Sequence, residues 1–277
     1  TGIIGKLSLK FTNFSFANLF RKNDNFRGFL PQGDGQTLTI SGQTNGQYYQ
    51  SYSISFLDPW FGGKRPNSLS VSAFYSVQTD VSSQYYNSAY MNNYYNYLSG
   101  YGNYYGGYYD NYESYYDPDK SIKMFGLSLG WGKRLRWPDD YFTLMAELSY
   151  QRFMLKDWSY LYIMLNNGQY MNTGNCNSLS LNLTLSRNST DNPIFPRYGS
   201  EFSASLQITP PYSLFSKKDY STYGKNNYDE AASMYKWIEY HKWKFKAKTY
   251  TALMDIQKCP VIMTRTEFGI LGHFNKY

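Results

Sequence analysis

The sequence predicts an all-β fold, a transmembrane antiparallel β-barrel with about ten strands in this chain. Three observations carry the prediction. Large apolar residues alternate with small uncharged polar ones through nearly every strand-like segment. The connections between segments are short and long by turns. No apolar run approaches the ~18–20 residues that a membrane helix needs, and the mean hydropathy is −0.59. A spanning role therefore falls to strands closed into a barrel, the other way to satisfy a backbone in lipid.

The alternation is clearest in Ser68-Leu69-Ser70-Val71-Ser72-Ala73-Phe74-Tyr75 and in Ser178-Leu179-Ser180-Leu181-Asn182-Leu183-Thr184-Leu185. Successive strand side chains point to opposite faces, so one face here is apolar and the other is Ser, Thr, Asn and Gly. A soluble sandwich would place charges on the outer face. Their absence points instead to lipid outside and a wet lumen within.

Turn punctuation delimits strands at roughly 3–13, 36–44, 49–57, 68–79, 121–131, 141–154, 178–188, 200–209, 240–252 and 261–272. Lipid-facing residues are predicted at Leu7, Leu9 and Phe11, at Tyr52, Ile54 and Phe56, at Phe125, Leu127, Leu129 and Trp131, and at Phe202, Ala204, Leu206 and Ile208. The last two strands carry inward charge. Lys242, Lys244, Lys246 and Lys248 share a face opposite Trp243, Phe245 and Ala247. Arg265 and Glu267 share a face opposite Thr264, Thr266, Phe268 and Ile270. A charge on the lipid face costs about 2–4 kcal/mol at the midplane, which turns both sets toward the lumen. The lysine row reads two ways: as a cationic stretch of lumen, or as a strand end that runs past the bilayer into water.

The connections at 58–66, 132–140 and 253–260 are short, and those at 80–120, 155–177 and 210–239 are long. Outer-membrane barrels have short periplasmic turns and long extracellular loops. Trp60, Phe61, Trp131 and Trp137 then belong at the headgroup level of the short-turn rim. The loop 80–120 is rich in tyrosine from Tyr85 to Tyr116, part of a total of 32 tyrosines. Tyrosine offers contact area at low entropy cost, which suits an adhesive surface. A variable shield over the barrel is the plainer and preferred reading. Residues 229–236 suggest a short helix capped by Asp229.

Other chemistries find little support. The net charge is +7, but the basic residues are scattered and no nucleic-acid motif accompanies them, so no nucleic-acid partner is expected. Acidic lipid headgroups are the more natural partner of that charge. Two cysteines lie far apart, and two histidines lack ligand spacing, so neither a metal nor a cofactor is expected. Gly126-Leu127-Ser128-Leu129-Gly130 fits the nucleophile-elbow pattern but continues straight into an alternating strand, where no sharp turn exposes the serine. Ser233-Met234-Tyr235-Lys236 matches a pattern that arises easily by chance. No catalytic residue is assigned. The opening Thr1-Gly2-Ile3-Ile4 carries no secretory signal, so the chain is expected to be processed or part of a longer protein.

One stretch carries a family likeness. Leu185 to Ser200 contains Pro193, Ile194, Phe195, Pro196, Arg197, Tyr198, Gly199 and Ser200. An aromatic and a proline followed closely by Gly-Ser resembles a mid-barrel strand–turn–strand of the Omp85 family. Phe11 to Gln36, Ser53 to Phe61, and Thr264 to Gly272 resemble further family elements in the same order, although the usual wording of the first turn is not kept.

The resemblance implies that the segments are strands two through eleven of a sixteen-stranded barrel, with residues 1–277 a partial barrel domain. The family's POTRA domains, strand one and loop six would then lie outside this chain. It further implies a non-enzymatic protein of the Gram-negative outer membrane that folds and inserts other β-barrel proteins. Its partners would be outer-membrane lipids, unfolded barrel substrates and the accessory subunits of a BAM-type complex. Arg265 and Glu267 are placed to contact loop six or, equally, to pair with neighbouring lumen groups. Other branches, TamA-like or two-partner secretion, and a passive porin or transporter barrel are the alternatives.

Overall fold

The computed structural model describes residues 4–20, 31–46, 48–63, 67–81, 116–158, 163–166, 168, 170–216, 227–254 and 259–274. Its strands are β1 (Gly5–Phe14), β2 (Gln36–Asn45), β3 (Tyr49–Asp58), β4 (Asn67–Val81), β5 (Tyr116–Arg134), β6 (Phe142–Lys156), β7 (Ile163–Met164), β8 (Tyr170–Met171), β9 (Gly174–Asn188), β10 (Tyr198–Ile208), β11 (His241–Ala252) and β12 (Val261–Gly272). Ten of them form one antiparallel sheet in sequence order, from β1 through β6 to β9 and on to β12. The short β7–β8 ladder stands apart, inside the connection between β6 and β9.

The register carries the alternation across the whole sheet. Leu9 faces Ile40, Ile40 faces Ile54, Ile54 faces Ala73, Ala73 faces Leu127, and Leu127 faces Tyr150. One step along the strands, Leu148 faces Leu181, and Leu183, Leu206, Trp243 and Ile270 line up in turn. Every predicted lipid-facing residue named above falls on this surface. A one-residue slip in any strand would send its apolar set to the wrong side, so the pattern fixes the register.

The opposite face joins itself by hydroxyl pairs. Ser41 meets Ser53 at 2.6 Å, Ser72 meets Ser128 at 2.7 Å, and Ser149 meets Ser180 at 2.8 Å, each across a strand pair. Ser128 thus sits mid-strand, bonded to a neighbouring hydroxyl, and the nucleophile-elbow pattern is a strand. Beside it, the Phe74 ring lies over Gly126, where any Cβ would collide with the ring. Glycine leaves room for the ring where the aromatic crosses the polar face.

The sheet has no core of its own. Among the described residues the buried apolar side chains are Phe14, Trp158, Leu165, Met171 and Ala231, all at strand ends or in connections. Ile54, Leu129, Trp243 and Phe268 on the apolar face are instead 47%, 49%, 50% and 57% exposed. In water so large an exposed apolar surface would be a liability; lipid covers it without cost. The central strands are long: β4, β6 and β9 have 15 residues each and β5 has 19. A span needs only about 9–11, so these strands extend past a bilayer.

The structure modifies the sequence reading in three places. The connection 15–35 is long although it lies on the short-turn rim, and 46–48 is short on the long-loop rim. The helix near 229 runs from Tyr228 to Met234 with the extended residue Asn227 at its cap position, so Asp229 is not the cap. Asp229 and Glu230 lie in its first turn, where the positive end of the helix dipole favours carboxylates. β5 begins at Tyr116, well before the predicted start. Tyr85 to Tyr115 lie outside the described residues.

Candidate functional site

Among the described residues a group of charges gathers on the polar face of β10, β11 and β12. Alternation puts Lys242, Lys244, Lys246 and Lys248 on one side of β11, roughly 6.6–6.8 Å apart at two residues per step. Four like charges in a row repel one another, so what faces them matters. Lys248 lies opposite Glu201 on β10 and Arg265 on β12; Lys246 lies opposite Ser203 and Glu267. The Lys248 Nζ reaches the Glu201 carboxylate at 3.2 Å, and the Lys246 Nζ reaches Glu267 at 2.9 Å. Arg265 donates to the other oxygen of Glu267 at 2.7 Å.

The row is therefore divided. The half toward the short-turn rim carries two carboxylates, Glu201 and Glu267, against Lys246, Lys248 and Arg265. The half toward the long loops has none: Lys244 faces Ser205 and Gly269, and Lys242 faces Gln207 and Leu271. The paired side chains are 32–57% exposed, and such pairs contribute modestly to stability. What they set is the local potential, cationic toward one end of the face. Glu201 was hidden in the sequence because its role depends on cross-strand register. Its signal was parity, since it alternates with Phe202, Ala204 and Leu206.

The turn between β9 and β10 is built from short polar side chains bonding to nearby backbone. Asn188 Oδ1 accepts from Thr190 N, Asn192 Oδ1 from Ile194 N and Phe195 N, and Asp191 Oδ1 from Arg197 N at 2.9 Å and Tyr198 N at 3.2 Å. The Arg197 amide, helped by that of Tyr198, holds the Asp191 carboxyl below its usual range, although partial loss of solvent pushes the other way. Gly199 has φ +105°, and a Cβ there would come within 2.8 Å of Thr190 Cα. Ser200 Oγ accepts from Arg187 Nη1 at 3.3 Å, and Arg187 also pairs with Asp139 of the preceding turn at 2.9 Å. Gly199 and Ser200 thus close the turn. Pro193 and Phe195 stand outside it, Phe195 being 81% exposed, and Pro196 is half-buried.

The predicted interface aromatics share that rim but differ in setting. Trp60 and Phe61 lie in the turn after β3, each 46% exposed, and Trp137 in the turn after β5 is 82% exposed. Trp131 is inside β5, on the apolar face between Leu69 and Ala146. The structure does not bring these aromatics together with the charged row; they occupy different faces or levels.

The architecture has relatives. A family model described as the Omp85 superfamily domain matches residues 31–276. The chain belongs to the Omp85 superfamily. No curated protein matches the sequence. Among solved structures, BamA from Haemophilus ducreyi lacking POTRA domains 1–3 is similar, with a TM-score of 0.52 and 16% identity over 88% of this chain. The match covers 36% of that chain, so the present sequence spans about a third of its length. At this identity the likeness establishes the fold. Omp85 barrels are non-enzymatic proteins of the bacterial outer membrane, and the two faces of this sheet are the lipid and lumen faces of such a barrel.

Proposed function

We propose that this chain forms part of an outer-membrane insertase that folds and inserts β-barrel proteins, as the core of a BAM-type complex. The observation that carries the reading is the sheet itself: ten antiparallel strands in sequence order, superimposing over most of their length on a BamA barrel. Edge strands offer unpaired N–H and C=O groups, and an incoming strand gains main-chain hydrogen bonds by pairing with such an edge. No covalent step is needed. The edge that receives substrate belongs to strand one of the family barrel, beyond β1 of this chain. Lipids, unfolded barrel proteins and accessory subunits are the partners of this reading.

Arg265 and Glu267 lie on the strand that leads toward the family's loop six, and we assign them contact with that loop. Glu267 already holds Lys246 and Arg265. A cationic group from the loop would exchange with one of them rather than meet a bare carboxylate.

Depleting the parent protein is the test. The expected result is a joint fall in many outer-membrane barrels. Loss of one secreted partner would favour a two-partner secretion translocator, and loss of one nutrient's uptake a passive transporter. The described lumen face favours neither a porin nor a selective channel, because Ser, Thr, Asn and Gly outnumber the charged rings that set selectivity.

A further inference from the structure

The described start of the exceptional connection 15–35 lies against the lipid face. Its helix, Phe16–Leu19, is capped by Ser15, whose Oγ accepts from Asn18 N at 3.1 Å and pairs with Asp34. Ser15 N donates to Pro31 O, Gly33 N to Asn13 O, and Asn18 Nδ2 to Gln32 O, so both ends of the connection are clasped together. The Phe14 and Phe16 rings pack on Phe56, 6.2 and 6.0 Å between centroids. Phe56 belongs to the apolar face of β3.

The helix does not seal against the strands. A cavity of about 660 Å³ remains between Phe14, Phe16 and Leu19 on one side and Leu38, Ile54, Phe56, Leu69, Val71 and Ala73 on the other. Its lining is almost wholly apolar, and every strand residue just named lies on the lipid face by register. At its rim end the polar groups are already paired. Gln36 Nε2 donates to Asp58 Oδ2 at 3.0 Å, Gln36 Oε1 accepts from Phe16 N at 2.8 Å, and Asp58 Oδ1 accepts from Trp60 N at 2.9 Å.

We propose that this groove is a binding site for a phospholipid acyl chain. Three features select that occupant. The groove is continuous with the face that the barrel already presents to lipid. Its polarity runs as a lipid's does, apolar along the strands and polar at the rim. Water gains no hydrogen bonds from such a lining, and a void forfeits dispersion contacts on one side. A flexible chain entering from the bilayer supplies those contacts. The helix Phe16–Leu19 thereby holds a lipid at the rim close to Phe61.

The test uses the full parent protein reconstituted in phosphatidylethanolamine bilayers containing a diazirine-bearing acyl chain. After irradiation, mass spectrometry should find adducts on Leu38, Ile54 and Phe56 several-fold denser than on the control lipid face at Leu183, Ala204 and Leu206. Ala73→Phe, which fills the groove from a lipid-facing position, should reduce the groove adducts to the control level and leave the control unchanged. Uniform labelling of the wild type would overturn the proposal, and that comparison needs no variant. So would groove adducts that persist in a folded Ala73→Phe protein, or that an unfolded barrel protein displaces.

Discussion

The two rims of the sheet differ in that one of them builds a buried apolar cluster between its loops. On the short-turn rim apolar side chains point outward: Trp137 is 82% exposed, Phe195 81%, Phe20 76% and Ile194 74%. On the long-loop rim Leu214 and Phe215 are exposed as well, 65% and 79%, but other apolar side chains turn inward. Leu165, Met171 and Ala231 form a small dry cluster, with Ala232 packed against it. The loop before β11 is also tied to the start of β9 by backbone bonds, from Asn177 N to Lys236 O and from Ile238 N to Asn177 O, and to the neighbouring long loop by Tyr228 Oη to Thr173 O at 2.7 Å. Chain length explains the difference. A tight turn has too few residues to surround an apolar group, and its own polar side chains are committed to the backbone. Two long loops can cover each other. The exposed aromatics of the short-turn rim thus rely on an external apolar phase for cover, which fits a membrane interface; the long loops cover part of their own apolar surface.

Substitutions can break this contrast. The largest effect is expected at Gly199, where Gly199→Val combines a left-handed φ with a collision against the backbone of Ser189 and Thr190. Backbone strain of this kind costs roughly 1–3 kcal/mol before the clash is added. Loss of heat-modifiable folded barrel on gels would report it. Next is Leu165→Ala on the opposite rim, which opens a hole in the loop cluster and should cost about 2–4 kcal/mol. Proteolysis of the long loops should accelerate while the strands stay protected. Phe195→Ala is the matched control on the short-turn rim. It should leave stability in detergent within about 0.5 kcal/mol, as an exposed substitution does, yet weaken bilayer association.

Arg187→Ala comes below the Gly199 and Leu165 variants. It removes the pair with Asp139 and the bonds to Ser189 and Ser200 in a partly exposed setting, a loss of about 1–2 kcal/mol. The smallest effect is the acid response of Asp191. Its folded-state carboxyl titrates below the ordinary value of 3.8, so its stabilising contribution is complete above that value. It is lost as pH falls through the folded value. Wild type and Asp191→Asn should therefore differ in melting near neutral pH and converge in strong acid. A difference that grows toward acid pH would contradict the assignment.

The strands were legible because one period does two jobs: the same alternation that marks a strand also decides its face. Leu181, Leu183 and Leu185 announce both at once. What depends on pairing was not legible. Glu201 is an ordinary acidic residue until β11 places Lys248 beside it. The Asp139–Arg187 link joins residues far apart in sequence. The start of β5 is hidden because Tyr116 continues a Tyr-, Gly- and Asn-rich stretch without alternation. The helix at Phe16–Leu19 is a single turn, too short to show a helical period, and its groove exists only because β2, β3 and β4 lie beneath it. The turn from Asp191 to Ser200 was readable for a different reason: Gly199 and the Asx side chains are demanded by local geometry, which a sequence records directly.

The division of the sheet into a lipid face and a wet face is tested most directly by cysteine scanning of β11. Single cysteines replace each residue from Lys242 to Lys248 in a full-length parent protein whose native Cys176 and Cys259 have been removed. Cells are treated with a water-soluble, membrane-impermeant maleimide. The account predicts period-two labelling, strong at Lys242→Cys, Lys244→Cys, Lys246→Cys and Lys248→Cys, and weak at Trp243→Cys, Phe245→Cys and Ala247→Cys. Uniform labelling, or strong labelling at the aromatic positions instead, would contradict it.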